Sequence, residues 1–440
     1  MTKPIGIALL GCGIVGSGVL KLLDEQRTML RARTGLEFEV RHVVVRNPER
    51  YRTQAGSLNL HTDAAGAIDD PAVQIVVELI GGTTDAAAHI ERALKLGKPV
   101  VTANKSLLAA RGPELFRLAR QHDAAIAFEA SCGGGVPIID ALQKGLLANR
   151  IDALVGIVNG TCNFILTQMT RHNMSYADAL AAAQQAGFAE ADPTLDVTGR
   201  DAAQKLTLLA SLAFNALVRE QDIAVEGIDT LSPADIGYAR ELGYVIKLLA
   251  IAQRERGEQL SLRVHPTLVH AHDVLADVSG SFNAISIWGH ALGHALFYGR
   301  GAGQMPTASA VVSDLLGVAL GTVTIAFRGL RIFPDSLEPA DVLPFEQLES
   351  RYYLRLSARD VPGVLAEITE ALGRASISLS AILQRESEDG SPFVPVVITT
   401  HRAREGAIRD ALRAIDALPT IQPPTVCLRI IDAPREFAER

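Results

Sequence analysis

Residues 187–206 read GFAEADPTLDVTGRDAAQKL and gather Glu190, Asp192, Asp196, Asp201 and Lys205 into one short span. On a helix over 198–212, Asp201 and Lys205 stand four apart and share a face. An ordinary surface pair at that spacing is worth only about 0.3–0.5 kcal/mol and does no chemistry. The alternative is a site in which carboxylates hold the ammonium group of an amino-acid substrate while a lysine addresses its carbonyl. Reducing an aldehyde by hydride transfer builds negative charge on oxygen, and an ammonium group stabilises that charge and donates the proton. A second lysine, Lys105, closes VTANK just beyond the fourth predicted strand. That is the carboxyl edge where doubly wound sheets bind ligands, although a solvated surface lysine is the plain alternative there.

Residues 11–18 read GCGIVGSG, directly after a predicted strand and at the opening of a helical run. Gly11 permits the tight turn, Gly13 lets the backbone approach a pyrophosphate, and Gly16 allows close packing of helix on strand. Ile14 and Val15 then open the helix, whose first N–H groups carry partial positive charge. The pattern predicts a dinucleotide site. An NAD-selective fold places an acidic residue at the end of the second strand, but here that strand ends in Arg46 and Asn47. Arg46, with Arg50 and Arg52 nearby, offers planar donors to a 2′-phosphate, so NADP is favoured over NAD. A solvated arginine loop is the bland alternative.

The elements that must carry these groups follow from the hydrophobic pattern. Short β-branched runs at 5–10, 40–45, 75–79, 99–102 and 125–128 alternate with amphipathic helical stretches, the signature of a parallel sheet covered by helices. After 137 come a strand at 153–158 and Ala-rich helices around 176–186 and 201–212; strands at 260–269 and 285–288 give this second part its own sheet. A helix over 307–316 is expected to return to the first domain. The proline-containing stretch 337–345 reads as a linker, and the remainder follows the order βαββαβ. The fold class is therefore α/β, with a Rossmann-type domain at 1–135 plus about 303–330, an α+β domain at 136–302, and a ferredoxin-like domain at 350–432.

Composition excludes several classes. At 440 residues, with 48% apolar and 21% charged, the chain is long enough for several cores and is neither disordered nor fibrous. The apolar stretch 308–327 is broken by Asp314 and falls short of a membrane span. Net charge is -7 without a dense basic tract, so nucleic acid is not an expected partner. The four cysteines lie far apart, as reduced thiols would, and a strand pattern begins within a few residues of Met1, so a cytoplasmic location is expected.

The strings GCGIVGSG, ELIGG, VTANK, EASCGGGVPII, GIVNGTCNFIL, GFAEADPTLDVTGRDAAQKL and YGRGAGQMPTASAVVSD occur in the order and spacing of homoserine dehydrogenases, over about 5–314. The resemblance implies NAD(P)-dependent interconversion of aspartate semialdehyde and homoserine. It implies Lys205 as the acid/base group, Lys105 beside the reacting centre and the cofactor, and Glu190 and Asp201 on the substrate, with Asp196 a further acidic position. Gly160 and Thr161 match a turn near nicotinamide and substrate, and Thr83 and Gly303 match cofactor positions. Glu129, with the backbone carbonyls of Cys132 and Gly134, matches a structural sodium or potassium site. The second domain carries dimer contacts in relatives, so a homodimer or homotetramer is expected. One departure is Phe188, where many relatives carry tyrosine.

The C-terminal part resembles the ACT family through RDVPGVLAEIT, where Asp360, Pro362 and Gly363 turn a strand into a helix. That turn can receive an amino-acid carboxylate. Threonine, which homoserine feeds, is the leading candidate effector; a dimerising module without a ligand is the alternative. Two other functions stay open on sequence. One is an acylating dehydrogenase using Cys132 as a thiolate, and the other is an amino-acid sensor without catalysis. His290 and His294 stand four apart, but their glycine-broken surroundings and the lack of a nearby glutamate argue against zinc.

Overall fold

The strand Ile5–Leu10 (β1) is buried at all but its first position, as expected of a strand covered on both faces. A computed structural model describes residues 4–51, 58–385 and 392–432. Arg52 lies outside these described residues. β1 continues in parallel with Phe38–Val44 (β2), Leu60–His61 (β3), Ile75–Glu78 (β4), Val100–Thr102 (β5) and Ile126–Ala127 (β6). The order β3-β2-β1-β4-β5-β6 reverses at β1, which is the switch point of a dinucleotide-binding sheet.

These strands belong to a compact unit made of residues 1–160, 201–223 and 281–340. Its core joins Ile7, Leu9, Val43 and Val77 of the sheet to Val19 and Leu23 of helix Ile14–Glu25 and to Ala308, Val311 and Leu315 of helix Gln304–Ala319. The same unit holds the strand Ile151–Ile157 (β7) in antiparallel pairing with Phe282–Gly289, itself in a hairpin with Gly293–Arg300. His294 stacks on Trp288 across this hairpin at 4.4 Å, while His290 Nδ1 accepts from the Arg150 amide. The two histidines thus serve the hairpin and do not share a helix face. Among the described residues, no single helix is long and apolar enough to cross a membrane.

A second compact unit comprises 161–200, 224–280 and 341–440. It contains a strand that the sequence reading missed, Tyr244–Arg254, paired antiparallel along its length with Leu260–His270. The C-terminal βαββαβ order is present as Glu349–Arg359, Val364–Arg374, Leu379–Gln384, Phe393–Thr400, Glu405–Asp416 and Ile421–Ile430. Its helices close over Tyr352, Leu354, Leu356, Val396 and Ile398. The last strand pairs in parallel with Leu260–His270, Thr267 opposite Arg429, so one sheet in this unit contains both. The expected linker at 337–345 is pinned at both ends. Leu217 exchanges backbone hydrogen bonds with Glu338 and Ala340, and Leu260 does so with Asp341 and Leu343.

Candidate active site

The helix Arg200–Phe214 starts two residues later than the expected 198, because Gly199 turns the chain with φ 82°. It still places Asp201 and Lys205 one turn apart on its inner face. Lys205 Nζ lies 2.7 Å from Asp201 Oδ2 and donates to the Val158 carbonyl at 2.7 Å. Lys105, first residue of the helix Lys105–Gln121 beyond β5, reaches the other oxygen of the same carboxylate at 3.1 Å. Asn159 also donates to Asp201, at 2.7 Å. Asp201 is 5% exposed. Burial works to raise its carboxyl pKa, but the two ammonium groups and the Lys205 and Asn159 hydrogen bonds hold it far below the usual carboxylate range. An ionised carboxylate thus fixes two lysines beside the carboxyl edge of the parallel sheet. This is no solvated surface pair.

The edge itself is built by capping. Glu78 at the end of β4 accepts from the Ile80 and Gly81 amides and from Thr102 Oγ1 at 2.7 Å. Asn104 caps the helix that begins with Lys105 by accepting from Leu107, and its amide donates to the Gly82 carbonyl at 2.8 Å.

The glycine loop joins β1 to helix Ile14–Glu25. Gly11 has φ 100°, and a Cβ there would meet the Leu79 carbonyl at 2.6 Å; a Cβ at Gly16 would meet the Gly11 carbonyl at 2.2 Å. Gly13 differs, since nothing lies within 4 Å of its Cβ position and the backbone is open to a ligand. The helix has no side-chain N-cap, which leaves its first turn, including Ile14 and Val15, suited to a pyrophosphate. The loop therefore fits a dinucleotide. Arg46 is exposed immediately beyond β2, Arg50 is also exposed, and Thr83 is exposed just after β4. Gly303 caps the helix Gln304–Ala319 with φ 116°.

Thr161, Glu190 and Asp196 belong to the second unit. Thr161 Oγ1 donates to the Phe188 carbonyl at 2.7 Å, and the Phe188 ring packs on Phe164 at 4.7 Å, so the tyrosine-to-phenylalanine departure leaves an aromatic contact. Glu190 is exposed, and the Asp196 carbonyl accepts from the Cys162 thiol at 3.2 Å. Gly160, in the first unit, sits against Ser281, whose carbonyl a Cβ would meet at 2.8 Å.

Cys132 does not suit covalent catalysis. Its thiol is fully buried, and burial pushes its pKa up to about 12, where thiolate is scarce at neutral pH. Glu129, expected at a cation site, is buried with both oxygens accepting, from the Ile139 amide at 2.9 Å and the Asp140 amide at 2.7 Å. Burial raises its pKa to about 7, and burial pushes Asp314, which accepts from the Glu129 amide, well above the carboxylate range. Two desolvated carboxylates at the 129–134 turn, with Lys144 the cationic side chain that acts on Asp314, are donors of the kind a small monovalent cation takes.

Sequence reasoning missed Asn159 and the Val158 carbonyl as members of the lysine site. Both lie inside the quoted string GIVNGTCNFIL, but single amides and carbonyls carry no spacing signal.

Comparison with known proteins shows the family. Family models described as homoserine dehydrogenase, as the NAD binding domain of homoserine dehydrogenase, and as the ACT domain match residues 137–316, 11–129 and 352–418. The chain is 42% identical over 436 residues to a homoserine dehydrogenase of Pseudomonas aeruginosa, covering 97% of this chain and 99% of that one. It is 39% identical to that of Bacillus subtilis, with 96% of each chain covered. Among solved structures, a homoserine dehydrogenase from Thiobacillus denitrificans superposes with a TM-score of 0.92 at 43% identity, covering 98% of this chain and 99% of that one. A hyperthermophilic archaeal homoserine dehydrogenase in complex with NADPH gives 0.62 at 25% identity, covering 72% and 98%.

Proposed function

The chain belongs to the homoserine dehydrogenase family, and from that premise we propose how this NAD(P)-dependent oxidoreductase divides its chemistry among its residues. The reaction is the reversible reduction of L-aspartate 4-semialdehyde to L-homoserine, in the route to threonine, methionine and isoleucine. When bound, the nicotinamide supplies or takes the hydride at C4 of the substrate. Lys205 gives the carbonyl oxygen its proton in the reducing direction and takes it back in the oxidising direction. Lys105 stabilises the developing oxyanion, and the family resemblance assigns the amino-acid end of the substrate to Glu190, Asp201, Asp196, Gly160 and Thr161. Asp201 is shared between both lysines, and this shared carboxylate is the observation that carries the reading. The burial of Cys132 removes support from the acylating alternative.

Arg46 supports a preference for NADP over NAD. Arg46→Ala is expected to raise KM for NADP about tenfold, the loss of one charge-assisted contact, with little change for NAD. Both come from one assay, reduced-nicotinamide absorbance with homoserine and each cofactor. No absorbance change with either cofactor would refute the enzymatic reading, and an equal effect on both would refute the role of Arg46.

A cytoplasmic location, and a sodium or potassium ion bound through Glu129 and the Cys132 and Gly134 carbonyls, are part of the same reading. The outer strand Gly293–Arg300 exposes Leu296 and Tyr298, which supports association as a homodimer or homotetramer. Threonine bound at the 360–363 turn would inhibit by preferring one conformation of the chain. The intact chain is the right test object, because removing the C-terminal module would bare the edge of Leu260–His270. Threonine is expected to lower its rate, and Asp360→Ala to shift half-inhibition at least about tenfold; an intact chain indifferent to threonine would overturn this.

A further inference from the structure

Asn283 lies on the strand Phe282–Gly289, is fully buried, and makes one side-chain hydrogen bond, from Nδ2 to the Val158 carbonyl at 3.1 Å. The same carbonyl receives Lys205 Nζ at 2.7 Å. Its Oδ1 has no partner among the described residues. A buried amide with half its hydrogen-bonding capacity unpaired costs stability, and the one bond set against that cost is the one its donor makes to the Val158 carbonyl. The chain also makes room for it at some cost elsewhere. A Cβ at Gly301 would fall 2.0 Å from the Asn283 amide carbon, and a Cβ at Gly134 would fall 2.5 Å from the Gly301 carbonyl oxygen. The amide is thus wedged between the carbonyl that anchors Lys205 and the 301–303 turn leading to Gly303.

We propose that Asn283 is a positioning residue for the reaction, which fixes the Val158 carbonyl and through it the aim of the Lys205 ammonium, with Gly301 as the backing that holds the amide in place. This rests on Lys205 being the acid/base group. A carbonyl bonded from two sides cannot rotate toward one of its donors alone. With Asn283 removed, only β7's end and Lys205 itself define its direction, and Lys205 remains tied to Asp201 but loses its second fixed point. Small misplacements of a catalytic group cost rate far more than binding.

The test compares Asn283→Leu, which keeps approximate volume and removes the donor, with Asn283→Asp, which keeps the shape but turns the donor into a second acceptor facing the carbonyl. Gly301→Ala, which must push the amide off the carbonyl, reads the same contact from the other side. Each is expected to lower kcat about 10- to 100-fold while KM for the cofactor stays within about threefold. If Asn283→Leu fails to accumulate as folded protein, Asn283→Asp and Gly301→Ala decide the question, their folding checked by circular dichroism. A wild-type kcat in any folded variant, or a loss carried mainly by KM for the cofactor, overturns the proposal. Lys205→Met, measured alongside, separates the two levels: an active Lys205→Met removes the acid/base assignment itself, whereas an inactive one with fully active Asn283 variants removes only the positioning role.

Discussion

Lys205→Met is expected to lower kcat for homoserine oxidation by about 10²- to 10⁴-fold, the usual contribution of a positioned acid/base group, with KM for the cofactor little changed. Methionine keeps the length of the apolar stem, and Asp201 keeps Lys105 at 3.1 Å, so the fold retains a paired carboxylate and the loss falls on chemistry. Steady-state rates at saturating cofactor check it. A variant within fivefold of wild type would show that another group moves the proton. The folded pKa of Asp201 is depressed, so the stability it contributes is in place above the unfolded value of about 4 and is lost only as pH falls through the lowered folded value.

How much of this was readable from the chain depends on whether the signal is local. The glycine loop, the five strands flanking it in sequence and the C-terminal βαββαβ order declare themselves, because turn chemistry and period-2 or continuous apolar runs act over a few residues. Asp201 and Lys205 were legible for the same reason, being one helical turn apart. The strand Tyr244–Arg254 was not. Its run YVIKLLAIAQR is buried at every central position, including Lys247, and such a run does not distinguish a strand from a buried helix. Nor could sequence show that Ile421–Ile430 pairs with Leu260–His270, or that Lys105 shares a carboxylate with Lys205. These are long-range pairings with no local pattern. Asn159 and Asn283 are harder still, since a single amide acquires its role only from what the fold places opposite it.

The pairing of the C-terminal strands with the rest of the second unit leads to the other large effect, on stability. Asp235 is fully buried in the helix Pro233–Glu241, where it completes a capping box with Ser232. Arg355 holds it in a two-point contact, Nε to Oδ1 at 2.6 Å and Nη2 to Oδ2 at 3.0 Å, and Tyr353 Oη adds a bond at 3.2 Å. Burial pushes the Asp235 carboxyl pKa up, but the Arg355 and Ser232 bonds outweigh it and leave the pKa below the usual range. Arg355→Met strands that carboxylate and is expected to destabilise the unit by about 3–5 kcal/mol. For a unit of this size that is a fall in melting temperature of about 6–20 °C. Asp235→Leu combined with Arg355→Met should recover most of it, because the cost comes from an unpaired buried charge and not from the missing pair. The sign with pH follows. In wild type the depressed carboxyl contributes stability above about pH 4 that fades as pH falls through its folded pKa. In Arg355→Met the guanidinium no longer offsets burial, so the folded pKa rises, and the deficit is full at neutral pH and shrinks as the medium approaches the unfolded pKa. Melting curves of the single and double variants at neutral pH and near pH 4 read both effects. A single variant as stable as wild type, or a deficit that grows on acidification, would mean that the pair does not bind the C-terminal module to the helix.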